Sequence, residues 1–210
     1  MMMFLLMGIL LSTYAMVAAK RIPALIGCFR AQSFLLFLVT LGFAFQEKEP
    51  HLFVVAGLLL LMKVFLLPAF LNKLVKKIKV AENLGLFMNP SLSLISALLL
   101  TYAASVFSSR FISTGGSSYA AFVVSMALVL IGFFMMIFRM KAVTQIVGLL
   151  VMENGIFLLA SSLAGGMPFF VEISISFDVF VCVIIAGIFM YRINKLFTHI
   201  EVNRLTDLRG

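Results

Sequence analysis

Glu153 is the residue whose setting points most directly to chemistry. It lies in Gly148-Leu-Leu-Val-Met-Glu153-Asn154-Gly155, near the middle of an apolar run of some twenty residues. A charge at the centre of a bilayer costs about 2.5–3.5 kcal/mol on insertion scales, so ionisable residues inside such runs are candidates for moving ions or protons. Loss of water favours the neutral form of a carboxyl, which suits Glu153 to loading and releasing a proton. The plainer alternative is a glutamate hydrogen-bonded to a neighbouring helix, a role that glutamine would fill equally well. Asn154 adjoins it as a supporting polar group. Lys63 is deep in another apolar run, too central to snorkel fully. It is expected to face a carboxylate or a water-lined cavity, as an exchange partner of Glu153 or as half of a structural ion pair. Asp178 lies in the outer third of the last run, within Glu172-Ile-Ser-Ile-Ser-Phe-Asp178. Ser174, four residues earlier, shares its helical face. Asp178 reads either as a relay group or as a hydrated residue near the interface. Glu172 is closer to the helix start, where a carboxylate complements the N-terminal dipole. Arg30 keeps its proton under all ordinary conditions and is expected to snorkel or to bind lipid phosphate.

The elements that must hold these residues follow from composition. Of 210 residues 63% are hydrophobic and 11% charged, with a mean hydropathy of +1.19. Soluble domains have about 45–50% apolar and about 25% charged residues. This balance excludes a secreted disulfide scaffold, a disordered chain and an ordinary soluble enzyme. The apolar runs are continuous and about twenty residues long, as helical spans require; a membrane barrel would alternate apolar and polar residues in segments of about ten. The expected fold class is all-α, a polytopic membrane helical bundle of seven transmembrane helices. Their expected limits are Met2 to Ala18, Leu25 to Phe45, Leu52 to Leu71, Pro90 to Phe107, Tyr119 to Phe138, Ala142 to Leu163 and Phe170 to Tyr191. Met2 to Ala18 resembles a signal-peptide core, but no basic residue precedes it, so it reads as a retained first helix.

The net charge of +8 is explained by where the cations fall. Lys20, Arg21, Lys73, Lys76, Lys77, Lys79, Arg139, Lys141, Arg192, Lys195, Arg204 and Arg209 lie after the odd-numbered spans or in the tail; only Lys48 and Arg110 lie in the other loops. The positive-inside rule then places the N-terminus outside and the C-terminus in the cytoplasm, the parity that seven spans demand. The same pattern makes nucleic acid an unsuitable partner and lipids a natural one. Cys28 and Cys182 both lie in apolar runs with no Cys-x-x-Cys pair and read as packing residues. His51 and His199 lie in polar flanks, and no nucleotide-loop, serine-hydrolase or zinc-protease motif occurs. No cofactor or metal is therefore expected in this chain, and no catalytic residue.

A shift of 121 residues superposes Lys20 on Lys141, Gly27 on Gly148, Gln32 on Glu153 and Ser33 on Asn154. It suggests two related three-helix units joined by a fourth helix. The expected division is an N-terminal unit with its basic loop at 1–88, a linking helix and loop at 89–118, and a second unit with the tail at 119–210.

On these residues the chain resembles the hydrogenase-4 component E family. The resemblance rests on Gly148-Leu-Leu-Val-Met-Glu-Asn-Gly155, Val171-Glu-Ile173, Asp178, Lys63-Val-Phe-Leu-Leu-Pro68 and the terminal Val202-Asn-Arg-Leu-Thr-Asp-Leu-Arg-Gly210. It implies a membrane subunit of nickel–iron hydrogenase and formate hydrogenlyase-like complexes, in the cytoplasmic (inner) membrane of a prokaryote. Its implied partners are antiporter-like membrane-arm subunits and a peripheral hydrogenase arm, which would hold the nickel–iron centre and the iron–sulfur clusters. The C-terminal half is similar to the three-helix K subunit of complex I. That subunit's motif, roughly Gly-Leu-Glu-x-Met-x-Asn, puts its glutamate on Leu150, three residues and about one turn from Glu153, so the face is kept while the position shifts. The glutamate of its next helix falls close to Asp178. The resemblance thus implies a non-catalytic subunit whose Glu153, Asp178 and Lys63 serve proton or cation translocation, with Asn154 and Glu172 in support. The alternatives are the equivalent subunit of a complex I-like or multisubunit cation/proton antiporter, a stand-alone small-solute transporter, and a structural scaffold.

Overall fold

In lipid the backbone has no water to bond, so a spanning segment must satisfy its own N–H and C=O groups within a helix or a closed barrel. The structure, a computed structural model, describes residues 2–47, 50–78, 89–111, 116–163, 180 and 183–188. Helices are its regular elements, with no strand among the described residues. In chain order they are α1 (Met2–Ala18), α2 (Ile22–Glu47), α3 (Pro50–Leu59), a π-helical segment (Leu60–Leu66), α4 (Leu67–Ile78), α5 (Pro90–Ser108), α6 (Gly116–Phe138) and α7 (Ala142–Leu163). Among the described residues five stretches are long and apolar enough to cross a membrane: Ile22–Gly42, Phe53–Lys76, Pro90–Ser108, Ser118–Phe138 and Ala142–Ser161. At 17 residues α1 is a shorter apolar helix, near the lower limit for a span. Most of the expected seventh span, with Glu172 and Asp178, lies outside the described residues; 183–188 is helical.

The third helical run departs from the sequence reading in two ways. It continues to Ile78, so Lys73 and Lys76 stand exposed on a helix face while Leu71 and Leu74 are buried beneath it. They are not loop cations. It also changes type in its middle. Val55, Leu59, Lys63, Leu67 and Leu71 are all buried, a stripe that steps by four residues. In an unbroken α-helix each such step overshoots one turn by about 40°, so the first and last of the five would face nearly opposite ways. The wider π turn takes up part of that drift. Its local cause is Pro68, which has no N–H to donate and whose ring crowds the carbonyl four residues earlier; Leu67 N–H bonds instead to Met62 C=O, five residues back.

Tight hairpins frame this run. α1 and α2 are joined by residues 19–21, and α6 and α7 by residues 139–141. Arg139, read from the sequence as a loop cation, is in fact 4% exposed. Its Nη2 donates to the carbonyls of Met16 and Val17 at 3.1 and 2.7 Å, closing the end of α1, where the last carbonyls lack helical partners. Burial pushes its pKa down to about 10, so it remains a cation at neutral pH. The reason it leaves the surface is the helix end it caps, a tertiary contact that no local pattern announces.

The α6–α7 seam is built on glycine. A Cβ at Gly132 would lie 2.5 Å from the Met152 backbone nitrogen, and one at Gly155 would lie 2.8 Å from the Ser125 carbonyl. These approaches set the depth and rotation of α7, and hence of Glu153. Replacing Gly132 by Val should lower thermal stability in detergent by about 1–3 kcal/mol, whereas Gly57→Ala, with open space around its would-be Cβ, should change it by no more than about 1 kcal/mol, the helix-propensity difference. Equal effects on the melting temperature would show that the seam does not limit stability.

Candidate functional site

The site is assembled from four elements. α7 contributes Glu153 and Asn154, the π segment Lys63, α2 Gln32 and Ser33, and α1 Thr13. All six side chains are buried, Lys63 at 2% exposure and Glu153 at 4%. Lys63 Nζ lies 2.8 Å from Glu153 Oε1 and donates to Asn154 Oδ1 at 3.0 Å. Asn154 Nδ2 donates to Gln32 Oε1 at 3.2 Å and to Ser33 Oγ at 3.4 Å. Gln32 Nε2 then donates to Thr13 Oγ1 at 2.7 Å, and the Thr13 hydroxyl to Ile9 C=O at 2.8 Å. Every donor in the chain points the same way, from the ammonium towards the Ile9 carbonyl. Bonds so aligned polarise and strengthen one another.

Depth follows from the helix limits. Glu153 is eleven residues into the 22-residue α7, and Lys63 is central in its run. The network is therefore a belt across the bundle at mid-depth, not a ladder from one end to the other. A buried ion pair is stable only where geometry is good and the remaining polar atoms find partners. Lys63 meets that condition, with an acid and an amide oxygen in reach and its ammonium 5.8 Å from the Phe157 ring centroid. Glu153 meets it by half, since Oε2 has no hydrogen-bond partner among the described residues.

This geometry has a definite chemical consequence. The pair is electrically neutral whether the shared proton sits on Lys63 or on Glu153. An additional proton has one free acceptor, Oε2, and its arrival would leave a net positive charge at mid-depth. The amides of Asn154 and Gln32 do not titrate, so they orient the pair rather than store protons. A groove of about 450 Å³ between α1, α5 and α6 is apolar and does not include the pair; Met3, Met7, Tyr119 and Val123 are among its lining residues.

Of the residues singled out in the sequence, Lys63, Glu153 and Asn154 are brought together; Glu172 and Asp178 lie outside the described residues. The sequence did not single out Thr13 for function, and it introduced Gln32 and Ser33 only through the 121-residue shift. Ser33 and Asn154, superposed by that shift, are in contact. A signal for all three was present, because each is a polar side chain within an apolar run. Cys28 is half-buried and carries a free thiol.

No protein-family model and no solved structure matches the chain. It is similar to the uncharacterized protein Rv0085 of Mycobacterium tuberculosis, 27% identical over 204 residues that cover 96% of this chain and 93% of that protein. The likeness therefore extends over nearly the whole length and not over a single hairpin.

Because the pair is buried, its two halves should depend on each other. Lys63→Met and Glu153→Leu are each expected to destabilise by about 3–5 kcal/mol by leaving the other charge without its counter-ion, and the double variant by less than either. A double-mutant cycle on unfolding in detergent measures this; strictly additive losses would show that the two side chains are energetically independent.

Proposed function

We propose that this chain is a non-catalytic membrane-arm subunit of a complex I-related nickel–iron hydrogenase, of the hydrogenase-4 or formate hydrogenlyase type. In this reading it spans the cytoplasmic membrane of a prokaryote seven times, with its N-terminus outside and its C-terminus in the cytoplasm. The observation that carries it is the enclosed Lys63–Glu153 pair at mid-depth, with its contact at 2.8 Å and one carboxylate oxygen left without a partner. A purely structural role would be served by a fully bonded amide. A carboxylate with one spare oxygen, facing an ammonium, is suited to accept a proton and give it up again.

Support for the hydrogenase assignment comes from the Met-Glu-Asn-Gly and terminal Leu-Arg-Gly signatures. The nickel–iron centre and the iron–sulfur clusters belong, in this reading, to partner subunits, and electron transfer there drives the charge balance here. A proton reaching Glu153 neutralises it and leaves the Lys63 ammonium uncompensated; return of the proton restores the pair. Such a site responds to any neighbouring charge that changes during turnover, because electrostatic interaction is strong where water is excluded. Asp178 and Glu172 would extend the charged axis towards the outer side. Lys73 and Lys76, exposed on α4, would meet anionic lipid or the peripheral arm on the inner side.

The test begins with the tagged chain purified in mild detergent from its native membrane. Recovery of a nickel–iron subunit with hydrogen-evolving activity is the expected result. In that complex Glu153→Gln should abolish proton translocation while hydrogen evolution persists, and Glu153→Asp should retain part of it. Unchanged translocation in the Gln variant would refute the role of Glu153. Antiporter-like subunits without a hydrogenase would transfer the site to a cation/proton antiporter, and recovery of the chain alone would point to a stand-alone transporter.

A further inference from the structure

Arg30 is a membrane-embedded charge outside the network. It lies eight residues beyond Ile22 in α2, about 12 Å along the axis, and inside the apolar stretch Ile22–Gly42. Unlike Lys63 it is exposed on the outside of the bundle. Its guanidinium stands over the ring of Phe65, 5.4 Å from the centroid, and Phe65 is itself 53% exposed. Phe65 follows Lys63 by two residues in the same π segment, and since two residues rise about 3 Å even in the narrower α-helix the two lie at nearly the same depth. The stacking therefore holds the Arg30 charge near the depth of the buried pair, not at the basic end of α2. No ion pair or hydrogen bond accompanies it among the described residues.

The surface around Arg30 combines a patch of small residues on α2 with the larger exposed rings of Phe34 and Phe65 at its edge. Ala24, Gly27 and Ala31 are exposed on the same side of α2, spaced by three and four residues so that they form one stripe. A Cβ at Gly27 would meet nothing within 4 Å. By contrast, the outer face of α5 presents Leu92, Ile95, Leu99 and Tyr102, the large apolar groups that acyl chains accommodate. Small residues let a second helix backbone approach closely. Charged residues inside spans almost always face a counter-charge or a watered cavity, and a guanidinium matches a carboxylate through paired N–H donors.

We infer that the face of α2 formed by Ala24, Gly27, Arg30 and Ala31, with Phe65 beside it, docks a transmembrane helix of another subunit that carries an Asp or Glu opposite Arg30. Charge complementarity selects this occupant. The partner carboxylate neutralises the guanidinium within the membrane, Phe65 covers one face of the guanidinium, and the stripe seats the incoming backbone. The inference rests on the chain being a subunit, but not on which complex it serves.

The experiment uses the full chain in its native membrane, with a photo-crosslinking residue at Ala31 and the adducts mapped by mass spectrometry. The expected adduct joins Ala31 to one transmembrane segment of another protein, with an Asp or Glu within one turn of the linked position. Arg30→Glu should reduce that adduct at least tenfold without lowering the chain's own melting temperature, and exchanging the partner's acid for Arg should restore it. Arg30→Gln, which adds no repulsion, should give an intermediate yield and serves if the Glu variant fails to fold. Adducts to lipid alone, to a second copy of this chain, or to a segment without a carboxylate would overturn the inference, as would an undiminished adduct in the Gln variant. A carboxylate-bearing partner from a complex without hydrogenase would sustain this inference while refuting the proposed function.

Discussion

The contact between Lys63 and Glu153 is the interaction on which the rest of the arrangement turns. Neither charge is tolerable alone at mid-depth in an apolar bundle, and the attraction between them stabilises only if the two atoms are held at hydrogen-bond distance. That requirement reaches outward. It demands that Lys63 stay on the buried stripe of its helix, which a regular α-helix would not allow over four successive steps of four residues. The π segment ahead of Pro68 keeps it there. It also demands that α7 sit at a fixed depth and rotation, which the glycine contacts with α6 impose.

The amide and hydroxyl groups around the pair complete the constraint. Asn154 accepts from Lys63 with its oxygen and donates to Gln32 and Ser33 with its nitrogen, so its orientation is fixed by both sides. Gln32 is fixed in turn by Thr13. The chain ends on the Ile9 carbonyl within α1, which also accepts from the Ser12 hydroxyl. A network bonded in one direction leaves little freedom for the ammonium, and the unmet demand is concentrated at a single atom, Glu153 Oε2. The incompletely bonded group of the network is thus the carboxylate and not the amides around it.

Two arginines show how a membrane chain can use the same side chain in opposite ways. Arg139 is drawn inward to finish a helix end, because the carbonyls at the end of α1 form the negative pole of the helix and attract a cation. Arg30 remains outside, supported by an aromatic ring. Arg139 uses one nitrogen, Nη2, on that helix end while its buried Nη1 has no partner among the described residues; Arg30 keeps its donors on the outer surface.

The sequence by itself determined the fold class, because a chain of this hydropathy has few ways to satisfy its backbone in lipid other than helices. The end of α1 and the start of α7 also fall where expected, since Lys20-Arg21 and Arg139-Met140-Lys141 interrupt the apolar runs sharply. Glu153, Asn154 and Lys63 were legible as candidates because a charged or polar residue among apolar neighbours is conspicuous. Tertiary structure alone decided that these three meet, that Thr13, Gln32 and Ser33 extend their network, and that Arg139 is buried. The physical reason is range. Hydropathy and proline act on neighbours along the chain, whereas hydrogen-bond partners 91 or 122 residues apart depend on how helices are rotated against one another, which small differences in packing set and no local pattern records.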